Sequence, residues 1–181
     1  SNVPDFIPPG SGVYPTGKNL ALIAEPEIES PNSDIKYIFD KWVSIGQNPV
    51  VISNSLSPST SIVIDSSFII EARYKKSFLV NAWSQYGTTS GGGFYEDGQI
   101  ADVRMNQNEQ ITIPGQEKKI FAGWNTGAAN ILKFDAGESE SLEPAVNPNL
   151  QIMVDSPVNV TAKWNSQYYL DVQSSTGIAT G

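Results

Sequence analysis

The chain contains no cysteine and no histidine in 181 residues. Without cysteine, disulfides, thiolate zinc sites and cysteine nucleophiles are excluded, and without histidine so is every serine–histidine catalytic arrangement. Carboxylate pairs of the glycosidase kind remain available, but no two acids recur in a cleft-like setting in both halves of the chain. We therefore expect no catalytic residues, no enzymatic activity and no cofactor-binding site.

Positive charge and long apolar runs are also scarce. The chain has 11 Lys and Arg and 19 Asp and Glu, and a surface with a net charge of −8 repels nucleic acid. No apolar run approaches the roughly 20 residues of a membrane span, so we expect no membrane span in this fragment. Lack of cysteine, few Lys and many Ser, Thr, Asn and Gly are typical of secreted prokaryotic repeat proteins. This composition favours an extracellular location at the cell surface.

A glycine-rich segment occurs twice, 81 residues apart, as GSGVYPTG at residues 10–17 and GGGFYEDG at 91–98. Further matches follow at offsets of 82 and then 90, which places about eight extra residues between Trp124 and Asp155. The matched pairs are Phe39 with Phe121, Trp42 with Trp124, Asp65 with Asp155, Ala72 with Ala162, and Tyr74 with Trp164. We interpret the chain as a tandem repeat.

The repeat period indicates small domains. Solenoid repeats span about 20–50 residues, so units of 80 to 90 residues are long enough to hold a core of their own. We predict a first β repeat domain at residues 1–76, a second at 77–166, and the leading strand of a third repeat at 167–181. Gly87 and Gly91 match Gly177 and Gly181 at the offset of 90, which supports the third assignment.

Apolar residues alternate with polar ones in both copies, which is typical of half-buried strands. Leu20, Leu22 and Ala24 match Ala101, Val103 and Met105, and the same alternation occurs in Phe68–Tyr74 and Val158–Trp164. The repeated glycines lead into strands and not into a helix, so we interpret them as turns and not as a phosphate-binding loop. The predicted fold class is all-β, with two tandem small antiparallel β domains.

The repeated aromatics resemble a known family. The segments Phe121–Asn125 (FAGWN) and Val158–Trp164 (VNVTAKW) resemble the internalin B-type repeat, in the divergent form found in bacterial and archaeal cell-surface proteins, including archaeal envelope and S-layer-like proteins. The first copy departs from the pattern with Asp40-Lys41 and with Tyr74 in place of the final Trp. The resemblance implies a β-grasp-like or immunoglobulin-like sandwich that serves as a stalk, spacer or adhesive module, with no catalytic residues.

Three tryptophans are candidates for ligand contact. Trp42 and Trp124 could offer stacking platforms for sugars, but their recurrence favours a role in each domain core. Trp83 has no aromatic counterpart, because Gln173 stands at the matching position. Trp83 is therefore the better candidate for a ligand-binding or interface residue.

The second copy carries the remaining candidates. Its extra residues include acids that could supply oxygen ligands to calcium, although their spacing matches no known calcium loop and solvated charge is the favoured interpretation. These acids are Asp135, Glu138, Glu140 and Glu143. Asn159 begins the Asn-Val-Thr sequon, the one N-glycosylation sequence in the chain, and the alternation predicts that it points outward.

These observations predict a non-catalytic structural or spacer segment of a large extracellular cell-surface protein. Its expected partners are neighbouring repeats of the same chain and, beyond those, cell-surface glycans or proteins. Two alternatives stay open: a carbohydrate- or protein-binding adhesin module, and an accessory region of a surface enzyme.

Overall fold

The computed structural model describes residues 2–3, 9–46, 49–106, 111–113, 117–127, 131–132 and 148–173. All regular structure in these residues is β-strand, which confirms the predicted all-β class. The strands in chain order are β1 (Asn19–Ile23), β2 (Glu27–Glu29), β3 (Ile35–Ile45), β4 (Ser59–Val63), β5 (Ile69–Trp83), β6 (Thr89–Ser90), β7 (Gly93–Glu96), β8 (Ile100–Met105), β9 (Ile111–Ile113), β10 (Glu117–Asn125), β11 (Ile131–Leu132), β12 (Asn149–Met153) and β13 (Val158–Tyr168).

The chain forms two compact units that do not follow a single cut in the sequence. One unit comprises Ser1–Leu79 and Phe94–Asp97, and the other comprises Val80–Gly93 and Gly98–Gly181. Strand β5 contributes residues to both units, because its last four residues, from Val80, belong to the second. The sequence-based division at residues 76 and 166 stays a prediction, and residues 174–181 of the predicted third repeat lie outside the described residues.

In the first unit, the two longest antiparallel ladders join β1 with β4 and β3 with β5. Strand β1 pairs with β4, with Asn19 opposite Val63 at one end of the ladder. Strand β3 lies between β2 and β5, and β7 also pairs with β5. The β3–β5 ladder shifts register at Asp40, since Phe39 faces Tyr74 while Lys41 faces Arg73. This β-bulge leaves one extra residue in β3.

The second unit has the same two pairings and one of a different kind. Strand β8 pairs antiparallel with β12, and β10 with β13, whose ladder shifts register between Phe121 and Gly123. Strands β6, β9 and β11 extend these sheets. In contrast to the predicted antiparallel arrangement, β13 also pairs in parallel with the end of β5, from Val80 with Val158 to Trp83 with Thr161. A parallel pair needs a long connection, and the chain from β6 to β12 supplies it.

Each unit buries the apolar side of its alternating strands. The first core contains Val3, Leu22, Ala24, Trp42, Ile62, Ala72 and Tyr74. In the second unit, the buried side chains include Ala101, Val103, Met105, Phe121, Ile152, Val154, Val158, Val160 and Ala162. In β8, Asp102 and Arg104 occupy the exposed side, as the sequence predicts. Burial of each Val, Leu or Ile side chain stabilises a unit by about 1.5–3 kcal/mol.

Candidate functional site

A cluster of three aromatic side chains lies on the bulged strand pair of the first unit. The ring centroid of Phe39 is 5.8 Å from that of Trp42 and 5.7 Å from that of Tyr74, whose ring is nearly perpendicular at 87°. Pairs of this geometry contribute about 0.5–1.5 kcal/mol beyond burial. The indole N–H of Trp42 donates to the carbonyl of Ser57 at 3.0 Å, and Trp42 is only 4% exposed. Its ring faces are therefore not available to a sugar.

The second unit holds the corresponding cluster. Phe121 lies 5.2 Å from Trp124 and 5.7 Å from Trp164, centroid to centroid, again in edge-to-face geometry. The indole N–H of Trp124 donates to the carbonyl of Pro148 at 3.3 Å. Trp124 is half-buried and packs against a buried cluster that includes Phe121. The core role that the sequence favours for Trp42 and Trp124 agrees with both clusters.

Backbone contacts recur at the same offsets as the aromatics. Both glycines that end the repeated motif have positive φ, 80° at Gly17 and 82° at Gly98, which L side chains seldom adopt. The matched hydrogen bonds run from Gly17 N to Ile64 O at 2.7 Å and from Gly98 N to Val154 O at 2.7 Å, and from Ala24 N to Pro58 O at 2.9 Å and from Met105 N to Pro148 O at 3.0 Å. The repeated glycines therefore serve as turns beside strands, as expected.

Trp83 ends strand β5 in the second unit and is 55% exposed. Its Cα partner is Thr161 of β13. Just beyond it, Ser84 accepts a hydrogen bond from the indole N–H of Trp164 at 3.0 Å, and the ring of Tyr86 lies 5.7 Å from the ring of Trp164. Trp83 thus presents apolar surface next to two residues that contact Trp164.

Asn159 is exposed near the start of β13, on the outward side that the sequence predicts. Its side-chain carbonyl accepts a hydrogen bond of 3.0 Å from the amide of Asn81, its register partner on β5. The two amides therefore couple the parallel strands on their outer face.

Charged side chains pair along strand surfaces. Lys36 bonds Glu27 at 2.6 Å and Glu29 at 3.0 Å, and these hydrogen bonds raise the pKa of Lys36. In the second unit, Lys119 pairs with Glu117, which raises the pKa of Lys119 and lowers that of Glu117. Exposed pairs of this kind contribute little to stability, and none of these groups forms a catalytic arrangement.

A cleft of about 480 Å³ opens on the first unit. Its walls come from residues 9–14, from β1 and β4, and from the segment that leads into β5. Leu20, Ile64, Phe68 and Ile70 line it and are half-buried. The matching residues of the second unit are buried: Ala101, Val154, Val158 and Val160. These four positions therefore border a cleft in the first unit and are buried in the second.

Apolar side chains are exposed where β13 ends. Tyr168 and Tyr169 are each 75% exposed, Leu170 is 80% exposed and Val172 is 52% exposed. The sequence matches this segment to Phe78–Ala82 of β5, in which Phe78 and Val80 are buried.

The calcium candidates Asp135, Glu138, Glu140 and Glu143 lie outside the described residues. In the part of the chain that the structure does describe, no three acidic, His or Cys side chains form a group that could hold a metal ion. Nor does that part contain a helix with the length and apolar character needed to cross a membrane.

Comparisons with known proteins do not assign the chain to a family. No family model matches it, and neither the curated proteins nor the solved structures include a significant match. The resemblance to internalin B-type repeats therefore stays a prediction from the sequence.

Sequence reasoning missed three features: the bulge, the parallel pairing and the cleft. The second copy carries a sequence signal for the bulge, because a glycine stands at position 123, after Ala122. In the structure Gly123 has a positive φ of 108°. The parallel pairing had no local signal, because its two strands are far apart in the chain. The cleft had no signal in the sequence either, because the apolar residues that line it match residues that are buried in the second unit.

Proposed function

We propose that the chain is a non-catalytic structural segment of a larger extracellular cell-surface protein, in which β units of one kind follow one another as spacers. The observation that carries this proposal is the recurrence, at offsets of 82 and 90, of an aromatic cluster on the same bulged strand pair. What recurs is packing and turn geometry. Repeated units that keep their cores and not a reactive group are expected of a spacer.

The amino-acid composition supports an extracellular location. A chain without cysteine and with a net charge of −8 suits an exposed, soluble surface array. The resemblance to internalin B-type repeats agrees with this role, since that family occurs in cell-surface proteins. Neighbouring units of the same kind are the expected partners.

Stretching single molecules of the full chain by its ends tests the spacer role. A spacer built of two units should give two separate unfolding events, each releasing roughly 270 Å of chain, because about 80 residues extend at 3.3–3.6 Å each. Trp124→Ala should weaken one event, and Trp42→Ala the other. One cooperative event for the whole chain, unchanged by either substitution, would contradict the proposal.

An adhesin module is the second candidate, and the exposure of Trp83 favours it. An aromatic side chain that keeps more than half of its surface in solvent can stack on a pyranose ring. If the chain binds glycans on an array, Trp83→Ala should abolish binding, while Tyr169→Ala serves as the control because Tyr169 is an aromatic side chain with even greater exposure, 75% against 55% for Trp83. Absence of binding by the unaltered chain would favour the spacer.

A further inference from the structure

Four outward-facing side chains form a small patch in the second unit, where β5 pairs in parallel with β13. Asn81 lies beside Asn159 in this ladder. Two residues further along, Trp83 lies beside Thr161. The residues that alternate with these four are buried or half-buried. Because register partners in a sheet project to the same face, the four side chains share the outer face of the strand pair.

The patch joins two features that the sequence marks separately. Asn159 and Thr161 are the first and last residues of the Asn-Val-Thr sequon. Trp83 is the register partner of that threonine and is 55% exposed. Neither the core nor the recurring aromatic clusters account for an exposed tryptophan at this position. The fold therefore places an exposed aromatic ring beside a sequon that lies far from it in the chain.

The amide of Asn159 is oriented in a way that suits attachment of a sugar. Asn159 is exposed, and its Oδ1 accepts a hydrogen bond of 3.0 Å from the Nδ2 of Asn81. An N-linked glycan is attached to the asparagine nitrogen of a sequon. The contact with Asn81 uses the oxygen of Asn159, so it holds the amide without involving the linkage atom.

Sheet geometry places Trp83 within reach of a sugar on Asn159. The two residues are diagonal neighbours, because Trp83 is two residues beyond the register partner of Asn159. Strands lie about 4.8 Å apart and two residues advance about 6.6 Å, so their backbones are separated by about 8 Å. An asparagine side chain and one pyranose ring together span this distance. The first sugar can therefore lie against the indole ring.

We propose that Asn159 carries an N-linked glycan whose first sugar stacks on the indole ring of Trp83. The donor is an oligosaccharide activated as a lipid diphosphate. The Nδ2 of Asn159 forms a bond to C1 of the sugar, the bond from C1 to the phosphate oxygen breaks, and the lipid diphosphate leaves with the electron pair while the amide loses one proton. Stacking then covers apolar indole surface with the C–H groups of the pyranose. The inference rests on the extracellular location in the proposed function.

Peptide mass spectrometry of the exported chain, isolated from its native cells, tests the attachment. We expect a sugar mass on the peptide that contains Asn159. Thr161→Ser keeps the sequon, whereas Thr161→Val removes it with little change in side-chain shape. In those cells the first variant should keep the glycan and the second should lose it. An unmodified Asn159 in the unaltered exported chain would overturn the proposal.

Thermal unfolding tests the contact with Trp83. The glycosylated chain should melt about 2–4 °C above the same chain produced without a glycan. Trp83→Ala should remove this gain, and Tyr169→Ala should keep it, because Tyr169 is an exposed aromatic residue outside the patch. An equal gain in the unaltered chain and in Trp83→Ala would overturn the stacking.

The outcomes also separate this inference from the spacer role. A chain without a glycan that gives two unfolding events on stretching would refute the glycan alone. A glycosylated chain that unfolds in a single event would refute the spacer role alone.

Discussion

The two units share strand pairings, a bulge and an aromatic cluster, yet side chains at matched positions are buried in one unit and border a cleft in the other. In the second unit Ala101, Val154 and Val160 are buried, and the strand from Val80 to Trp83 pairs with β13. In the first unit the corresponding residues line a cleft of about 480 Å³. The difference teaches that the repeated glycine motif and the aromatic cluster recur even where the side chains around them are buried to different depths.

The largest difference between the units should appear at the first glycine of that motif. A Cβ on Gly91 would lie 2.0 Å from the carbonyl oxygen of Asp102, and its φ is +85°, so Gly91→Ala forces the backbone to move. We expect a loss of about 3 kcal/mol in the free energy of unfolding. The matching Gly10 has nothing within 4 Å of an added Cβ, and only its φ of +120° opposes Gly10→Ala, at about 1 kcal/mol.

Urea denaturation of both variants checks this comparison, with amide exchange to assign the loss to a unit. Equal losses for Gly91→Ala and Gly10→Ala would show that the first glycine of the motif is packed equally tightly in both units.

A smaller difference is expected at the two bulges. Gly123 has φ of 108° in the β10 bulge, whereas Lys41 takes the same place in β3 and is not among the residues with positive φ in the described part of the chain. Gly123→Ala should therefore cost about 1–2 kcal/mol through backbone strain, and Lys41→Ala within about 0.5 kcal/mol. Thermal unfolding followed by near-ultraviolet circular dichroism measures both. A larger loss for Lys41→Ala would contradict this view of the bulges.

The smallest expected effect concerns pH, because the first cluster ends in Tyr74 and the second in Trp164. Burial raises the pKa of the Tyr74 phenol above its ordinary value of 10, and the charge of Glu25 raises it further. A raised folded-state pKa gives stability that is present below pH 10 and is lost as pH rises through the folded-state value. The first unit should therefore weaken more at alkaline pH.

Tyr74→Phe separates this effect from the loss of packing. The Tyr74 hydroxyl donates to the carbonyl of Glu25 at 3.0 Å, so the substitution should cost about 1 kcal/mol at neutral pH. It should also flatten the fall in stability above pH 10 in urea titrations. An unchanged alkaline slope would mean that Tyr74 does not control it.

Much of the fold was predictable because the chain supplies its own comparison. Alternation at Leu20–Ala24 and Ala101–Met105 predicted strands with the correct buried side, and the recurring aromatics predicted core positions. The register shift at Asp40 was not predictable, since a bulge depends on how two strands of unequal residue number fit together. The cleft that Phe68 and Ile70 line was not predictable either, because it depends on how several segments meet in the folded unit.

The parallel pairing between β5 and β13 also has a kinetic consequence. Asn81 and Asn159 meet across 78 positions of sequence, a separation at which loop closure is costly and contacts form late. During synthesis, the end of β5 emerges long before its partner and must wait until β13 has left the ribosome. We therefore expect the pairing of Val80–Trp83 with β13 to be among the last steps in the folding of the second unit.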